Sequence, residues 1–165
     1  MGVAVSHEQA AARPAASRPA SPSEHDHPGL AAARSQAAAL ALPYAGAIDP
    51  QIAHDVLAAG EAVLVDVRTA EELKSIGSVP GSIHIAWQTG LHRLKNPRFL
   101  KDLVARVAPD AAVLFICRSG QRSAAAAAAA AGAGYGNAFN ILEGFEGTGG
   151  EAGSGWRARG LPVRA

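Results

Sequence analysis

The residues best suited to chemistry lie in one short segment around Cys117, the single cysteine of the chain. The segment reads Cys-Arg-Ser-Gly-Gln-Arg-Ser, so two arginines, two serines and a glycine follow the cysteine within six residues. Positive charge beside a thiol favours the thiolate, which is its nucleophilic form. This composition is hard to explain by packing alone. It therefore indicates a reactive thiol rather than an inert cysteine at the end of a strand.

The same segment can hold an anion. Gly120 permits a positive φ, which turns successive backbone amides toward one point and forms an anion-binding nest. A helix beginning after the loop would add the positive end of its dipole. Arg118 and Arg122 would add positive charge close to the sulfur. Such a cradle suits a thiolate, and also a persulfide anion once an outer sulfur has been captured.

The elements around the loop predict an α/β fold with a central parallel sheet. Residues 62–68 contain a run rich in β-branched residues and residues 112–117 are fully apolar, which is typical of strands buried on both faces. Residues 83–87 and 138–142 are further, shorter strand candidates. In such sheets the functional site lies at the carboxyl ends of the strands. Cys117 lies at such an end.

Helical segments alternate with these strands, which favours helices on both faces of the sheet. Asp49 and Pro50 begin one helix, and a capping box of Thr69 and Glu72 begins another. The remaining helices are expected at 96–108, along the alanines of 124–131, and from 155 to 160.

The first 43 residues are rich in Ala, Pro and Ser, and they have almost no large apolar side chain before Leu30. Such a segment buries too little surface to offset its conformational entropy. We expect a disordered tail over residues 1–43, with a short helical turn around 30–41, and one domain over 44–165. His25, Asp26 and His27 have no further ligands nearby, so we expect no metal and no cofactor.

The composition limits which classes of partner and which cellular compartment are expected. The net charge of +1 comes from interspersed acids and bases and gives no electrostatic footprint for nucleic acid or an anionic membrane. No apolar run approaches the ~20 residues of a membrane span. A lone thiol suits a reducing compartment, and we expect the cytoplasm.

From about residue 47 to its end, the chain resembles a single rhodanese domain. The resemblance depends on the order and spacing of short motifs rather than on any one of them. They are Leu64–Arg68 with Glu71 and Glu72, Gly77–Ile85, Cys117–Ser123, Asn140–Phe145, Gly155 with Trp156, and Gly160–Pro162.

The resemblance implies a sulfurtransferase that works by a ping-pong mechanism. Cys117 would take sulfur from a donor such as thiosulfate and pass it to cyanide, a thiol or a partner protein. The loop Arg118, Ser119, Gly120, Gln121, Arg122 and Ser123 would bind the persulfide through its amides. Arg118 and Arg122 would recognise the anionic donor. The resemblance also implies a structural role for Asp66 and Arg68.

Two alternatives stay open. Phosphatases and arsenate reductases place a cysteine in a similar loop, but they need Cys-x5-Arg, whereas here Arg122 gives Cys-x4-Arg. This smaller ring suits one sulfur better than a tetrahedral oxyanion. The other alternative is a carrier or interaction module without turnover, because a fold alone does not establish activity. With no second cysteine, discharge must use an external thiol or a partner.

Overall fold

The computed structural model describes residues 26–149 and 152–165. The strands are β1 (Gly46–Ile48), β2 (Val63–Asp66), β3 (Ile83–His84), β4 (Gln88–Thr89), β5 (Leu94–Lys95), β6 (Val113–Ile116) and β7 (Ala138–Ile141). The helices are α1 (Pro28–Leu40), α2 (Pro50–Ala58), α3 (Ala70–Ile76), α4 (Phe99–Arg106) and α5 (Gln121–Gly132).

Five strands form one sheet in the order β1-β7-β6-β2-β3, and all four pairings are parallel. The expected parallel sheet is therefore confirmed. Strand β1 was not expected, because three residues are too few to show a periodic pattern. Strands β4 and β5 form a separate antiparallel hairpin.

Helices cover both faces of the sheet, also as expected. On one face, Leu64, Leu114 and Ile116 pack with buried residues of α1 and α2. On the other, Val65 and Phe115 pack with buried residues of α4 and α5. This split follows from strand geometry, since successive side chains point to opposite faces. Within the described ranges, no helix is both long and apolar enough to cross a bilayer.

Residues 28–40 form helix α1, so the expectation of disorder does not hold there, and the short helical turn expected around residues 30–41 is part of a longer, packed helix. Its alanines favour a helix, and Leu30, Ala33 and Ala37 are buried at helical spacing. The helix lies so close to β1 that a Cβ on Gly46 would come within 2.8 Å of Ala33. The small side chains of α1 thus pack against β1, although the scarcity of large apolar residues in this segment had suggested that it could not pack. Residues 1–25 lie outside the described ranges.

Two of the three residues His25, Asp26 and His27 have structural roles. The His27 side chain caps α1 by accepting from the Gly29 N–H at 3.1 Å. Asp26 forms an ion pair with Arg34. His25 lies outside the described residues. Among the residues that are described, no group of three or more His, Cys, Asp or Glu side chains could hold a metal ion.

Two other helix predictions need correction. Helix α4 begins at Phe99 rather than near Asn96, with Arg98 as its N-cap. The helix expected at 155–160 is instead a run of turns. Gly155 and Gly160 both have positive φ there (91° and 72°), which a right-handed helix excludes. The indole N–H of Trp156 donates to the Pro162 carbonyl at 2.9 Å and fixes this turn.

The packing of α1 leads to a stability prediction. Leu30 is 1% exposed, so Leu30→Ala should lower the free energy of unfolding by about 2–4 kcal/mol through lost burial and a cavity. Leu40, at the end of the same helix, is 70% exposed, and Leu40→Ala should change it by less than about 0.5 kcal/mol. Urea unfolding of both variants measures this. Equal, small effects would mean that α1 contributes nothing to the fold.

Candidate active site

Cys117 directly follows β6, the central strand of the sheet, and precedes α5. Gly120 is the N-cap of α5 and has φ 95°, a conformation that favours glycine. A neighbouring turn braces the loop, because Phe145 N–H donates to the Cys117 carbonyl at 2.8 Å and Glu146 N–H to the Arg118 carbonyl at 2.9 Å. Gly144 allows this approach, since a Cβ there would lie 2.5 Å from the Cys117 oxygen.

The sulfur of Cys117 lies at the meeting point of two donors. The Gly120 N–H donates to Sγ at 3.1 Å, and the Ser123 hydroxyl lies 3.2 Å from it. The amides of residues 121–123 form the first turn of α5, whose N–H groups lack intrahelical acceptors. Cys117 is only 1% exposed. The site therefore combines a buried sulfur with the positive end of a helix.

Arg122 is held by Glu72, a residue of α3. The two side chains form a bidentate pair with N–O distances of 2.8 and 2.7 Å. Glu72 also accepts from the Thr69 N–H at 2.9 Å, as its half of the capping box. The expected box is thus confirmed, and its carboxylate has a second task that the sequence did not reveal. It connects the start of α3 to the start of α5.

This pairing shifts the pKa of both groups. Burial alone would raise the pKa of Glu72, but hydrogen bonds from Arg122 and the Thr69 N–H, with the charge of Arg122, lower it to about 2. The hydrogen bond to Glu72 raises the pKa of Arg122, and the charges of Glu72, Cys117 and Asp66 act in the same direction. Arg122 therefore stays protonated near the sulfur, and its guanidinium is paired with the carboxylate of Glu72.

The other loop side chains face outward to different degrees. Arg118 pairs with Glu146 at 2.8 Å, and 58% of its side chain is exposed. Ser119 is half-buried and Gln121 is exposed, whereas Ser123 is fully buried beside the sulfur. The loop thus presents the Gly120 N–H and the Ser123 hydroxyl to the sulfur, with Arg118 at the rim.

Asp66 and Arg68 form a fully buried ion pair at 2.6 Å near the same edge of the sheet. The Arg68 guanidinium also donates to the Gly77 carbonyl at 2.9 Å, at the end of α3. Its centre lies 3.9 Å above the ring of Phe145, within the turn that braces Cys117. The pair thus connects β2, α3 and that turn, the arrangement that a structural role requires; the role itself stays a prediction.

Sequence reasoning missed Asn140 as a neighbour of the site. Asn140 lies in β7, is 4% exposed, and contacts both Ser123 and Gly120. A detectable signal existed, because a polar residue inside a fully buried strand requires hydrogen-bond partners. Glu146, the partner of Arg118, was also missed, and its position in a turn gave no comparable signal.

Residues 49–150 of the chain match a family model that is described as Rhodanese-like domain. The chain belongs to this family. The rhodanese-like domain shares 37% identity over 117 residues with an uncharacterized protein of Rickettsia conorii, covering 67% of this chain and 89% of the relative. The family match makes the protein a member of the sulfurtransferase family, and its one cysteine is buried.

Solved structures agree with the family assignment. A crystal structure from M. tuberculosis matches the rhodanese-like domain with a TM-score of 0.66 and 39% identity, covering 73% of this chain and 98% of that one. The solution structure of a rhodanese-like domain from Anabaena has a TM-score of 0.55 and 14% identity, covering 70% of this chain and 76% of that one. The second likeness shows the fold alone.

The low pKa of Glu72 predicts acid sensitivity. Its pKa in the folded state, about 2, lies below its ordinary 4.5, so its contribution is present above 4.5 and is lost as pH falls toward 2. Glu72→Gln should therefore cost about 1–2 kcal/mol of unfolding free energy near pH 7, and less near pH 3. Urea unfolding at several pH values measures the difference in unfolding free energy between the wild type and the variant. Glu71 is an exposed neighbour, and Glu71→Gln should differ little from the wild type in unfolding free energy at any pH. A difference for Glu72→Gln that does not change with pH would contradict the low pKa of Glu72.

Proposed function

We propose that the protein transfers a sulfane sulfur through a persulfide on Cys117. The observation that carries this proposal is the buried Sγ, which has the Gly120 N–H at 3.1 Å and the start of α5 beside it. Fixed amides and a helix dipole stabilise negative charge without any later rearrangement. A sulfur in this position is suited to exist as a thiolate and, after loading, as a persulfide anion.

The loading step is a displacement at sulfur. The Cys117 thiolate attacks the outer sulfur of a donor such as thiosulfate and forms a new S–S bond. The S–S bond of the donor breaks at the same time, and sulfite leaves with the electron pair. The backbone amides from Arg118 through Ser123 hold the persulfide. Arg118, exposed at the rim, exchanges its bond with Glu146 for the anionic donor.

The discharge step returns the enzyme to its starting state. An acceptor, either cyanide or a thiolate, attacks the outer sulfur of the persulfide. The bond between that sulfur and Sγ breaks, and its electron pair returns to Cys117 as the thiolate. Because the chain has a single cysteine, the acceptor comes from outside, as a small thiol or as a partner protein. A free thiol of this kind favours a reducing compartment such as the cytoplasm.

The remaining loop and framework residues support this chemistry indirectly. Arg122 forms two hydrogen bonds with Glu72. It therefore supplies positive charge near the sulfur rather than a hydrogen-bond donor that is free to move to the substrate. Asp66 and Arg68 keep the carboxyl edge of the sheet in place. A phosphatase or arsenate reductase requires the loop arginine to be free to grip an oxyanion, and here Arg122 is already engaged.

Sulfur loading is the direct test. Treatment with thiosulfate should add the mass of one sulfur atom to the intact protein, and Cys117→Ala should gain nothing. Ser75→Ala, an exposed position on α3, should load like the unaltered protein and controls for handling. An unmodified wild-type protein, with folding verified by circular dichroism, would refute the persulfide.

Turnover separates the enzyme from its alternatives. Thiosulfate with cyanide should yield thiocyanate, while an aryl phosphate should stay intact. A protein that loads sulfur but releases none to cyanide or to thiols would be a carrier without turnover. Release of phosphate that depends on Cys117 would favour the phosphatase instead.

A further inference from the structure

The hydroxyl of Ser123 has one proton and two acceptors within reach. Its oxygen lies 2.6 Å from Asn140 Oδ1 and 3.2 Å from Cys117 Sγ. A serine hydroxyl can donate only one hydrogen bond, although it can accept two. Ser123 is fully buried, so bulk water does not reach its side chain. The sulfur and the asparagine therefore compete for the same proton.

The orientation of the Asn140 amide is fixed by a second contact. Asn140 Nδ2 donates to the Gly120 carbonyl at 3.2 Å. A carbonyl oxygen only accepts, so the NH2 group must face Gly120 and the amide oxygen must face Ser123. Side-chain alternation along β7 places Asn140 on the same face as Ala138, the face that α5 covers. Asn140 thus presents a fixed acceptor to Ser123.

The two charge states of the sulfur need different arrangements of this hydroxyl. In the thiol state, Ser123 donates to Asn140 and its oxygen can accept the S–H of Cys117. A thiolate or persulfide anion only accepts, so the hydroxyl must turn to the sulfur. The Asn140 oxygen then loses its donor in a buried site, which is unfavourable. Charging the sulfur therefore works against Asn140.

We propose that Asn140 is a positioning residue that, through Ser123, sets how readily the Cys117 sulfur becomes charged. By accepting the hydrogen bond of the Ser123 hydroxyl, Asn140 favours the neutral thiol. The thiolate forms when the thiol proton passes to solvent water and the Ser123 hydroxyl turns to the sulfur. This inference deepens the proposed function, because the charged form of the sulfur is the form that takes up and holds the transferred sulfur.

The proposal predicts an unusual sign for the effect of removing Asn140. Asn140→Ala and the similar-sized Asn140→Leu free the Ser123 hydroxyl to donate to the sulfur alone. The pH at which half of Cys117 is ionised should fall by about one unit, a roughly tenfold larger thiolate fraction below the midpoint. The Gly120 carbonyl keeps a donor, since Ala124 N–H lies 3.3 Å away. A purely structural role would loosen the loop, withdraw the amides from the sulfur, and raise the midpoint.

The experiment is an ultraviolet titration of the thiolate, with iodoacetamide alkylation rates as a second readout. Both are specific because the chain has one cysteine. Ser123→Ala should raise the midpoint, and adding Asn140→Leu to Ser123→Ala should cause no further change. Asn137→Ala, three residues earlier and partly exposed, should leave the midpoint unchanged.

The outcomes distinguish this inference from the proposed function. An unchanged or raised midpoint in both Asn140 variants, or a shift that persists in the Ser123→Ala background, would overturn the role of Asn140. The titration needs no sulfur donor, so it is decisive even if thiosulfate fails to load Cys117. If loading occurs, its pH dependence in Asn140→Leu should shift by the same amount as the titration.

Discussion

The buried ion pair between Asp66 and Arg68 lies where three parts of the site meet. Both side chains are fully buried, and removing one partner of such a pair typically costs about 3–5 kcal/mol because the other charge stays desolvated. Arg68 also reaches the end of α3 and the ring of Phe145. Because Phe145 N–H holds the Cys117 carbonyl, this one guanidinium joins β2, α3 and the cysteine loop into a single framework.

The electrostatics of the site differ from a simple cluster of cations. Both loop arginines have carboxylate partners, Arg118 with Glu146 and Arg122 with Glu72. The unpaired positive character therefore comes chiefly from backbone amides at the start of α5, whose direction the fold fixes. This arrangement suits a small, polarisable charge such as that on sulfur, because the Gly120 N–H already lies 3.1 Å from Sγ and need not move. It is poorly suited to gripping a large oxyanion with a free arginine.

Sequence patterns predicted the parts of this structure that depend on local chemistry. The apolar runs of β2 and β6, the capping box at Thr69 and the position of Cys117 at a strand end all follow from short-range rules. Helix α1 was only partly recognised, because its burial depends on how close alanines can come to Gly46, a tertiary property. The pairing of Glu72 with Arg122 spans 50 residues, and no local pattern encodes it. Asn140 was detectable as a buried polar residue, but its partners were not.

The alanine run of α5 has a consequence for the precision of the site. Ala126, Ala127 and Ala130 are fully buried against the sheet, and alanine has no side-chain torsions to freeze on folding. The helix therefore packs on the sheet through its backbone and its methyl groups rather than through interlocking rotamers. Its N-cap, Gly120, carries the N–H that donates to the sulfur. A run of small side chains thus lets the helix lie close to the sheet, and this places its N-terminal end beside one atom, the Cys117 sulfur.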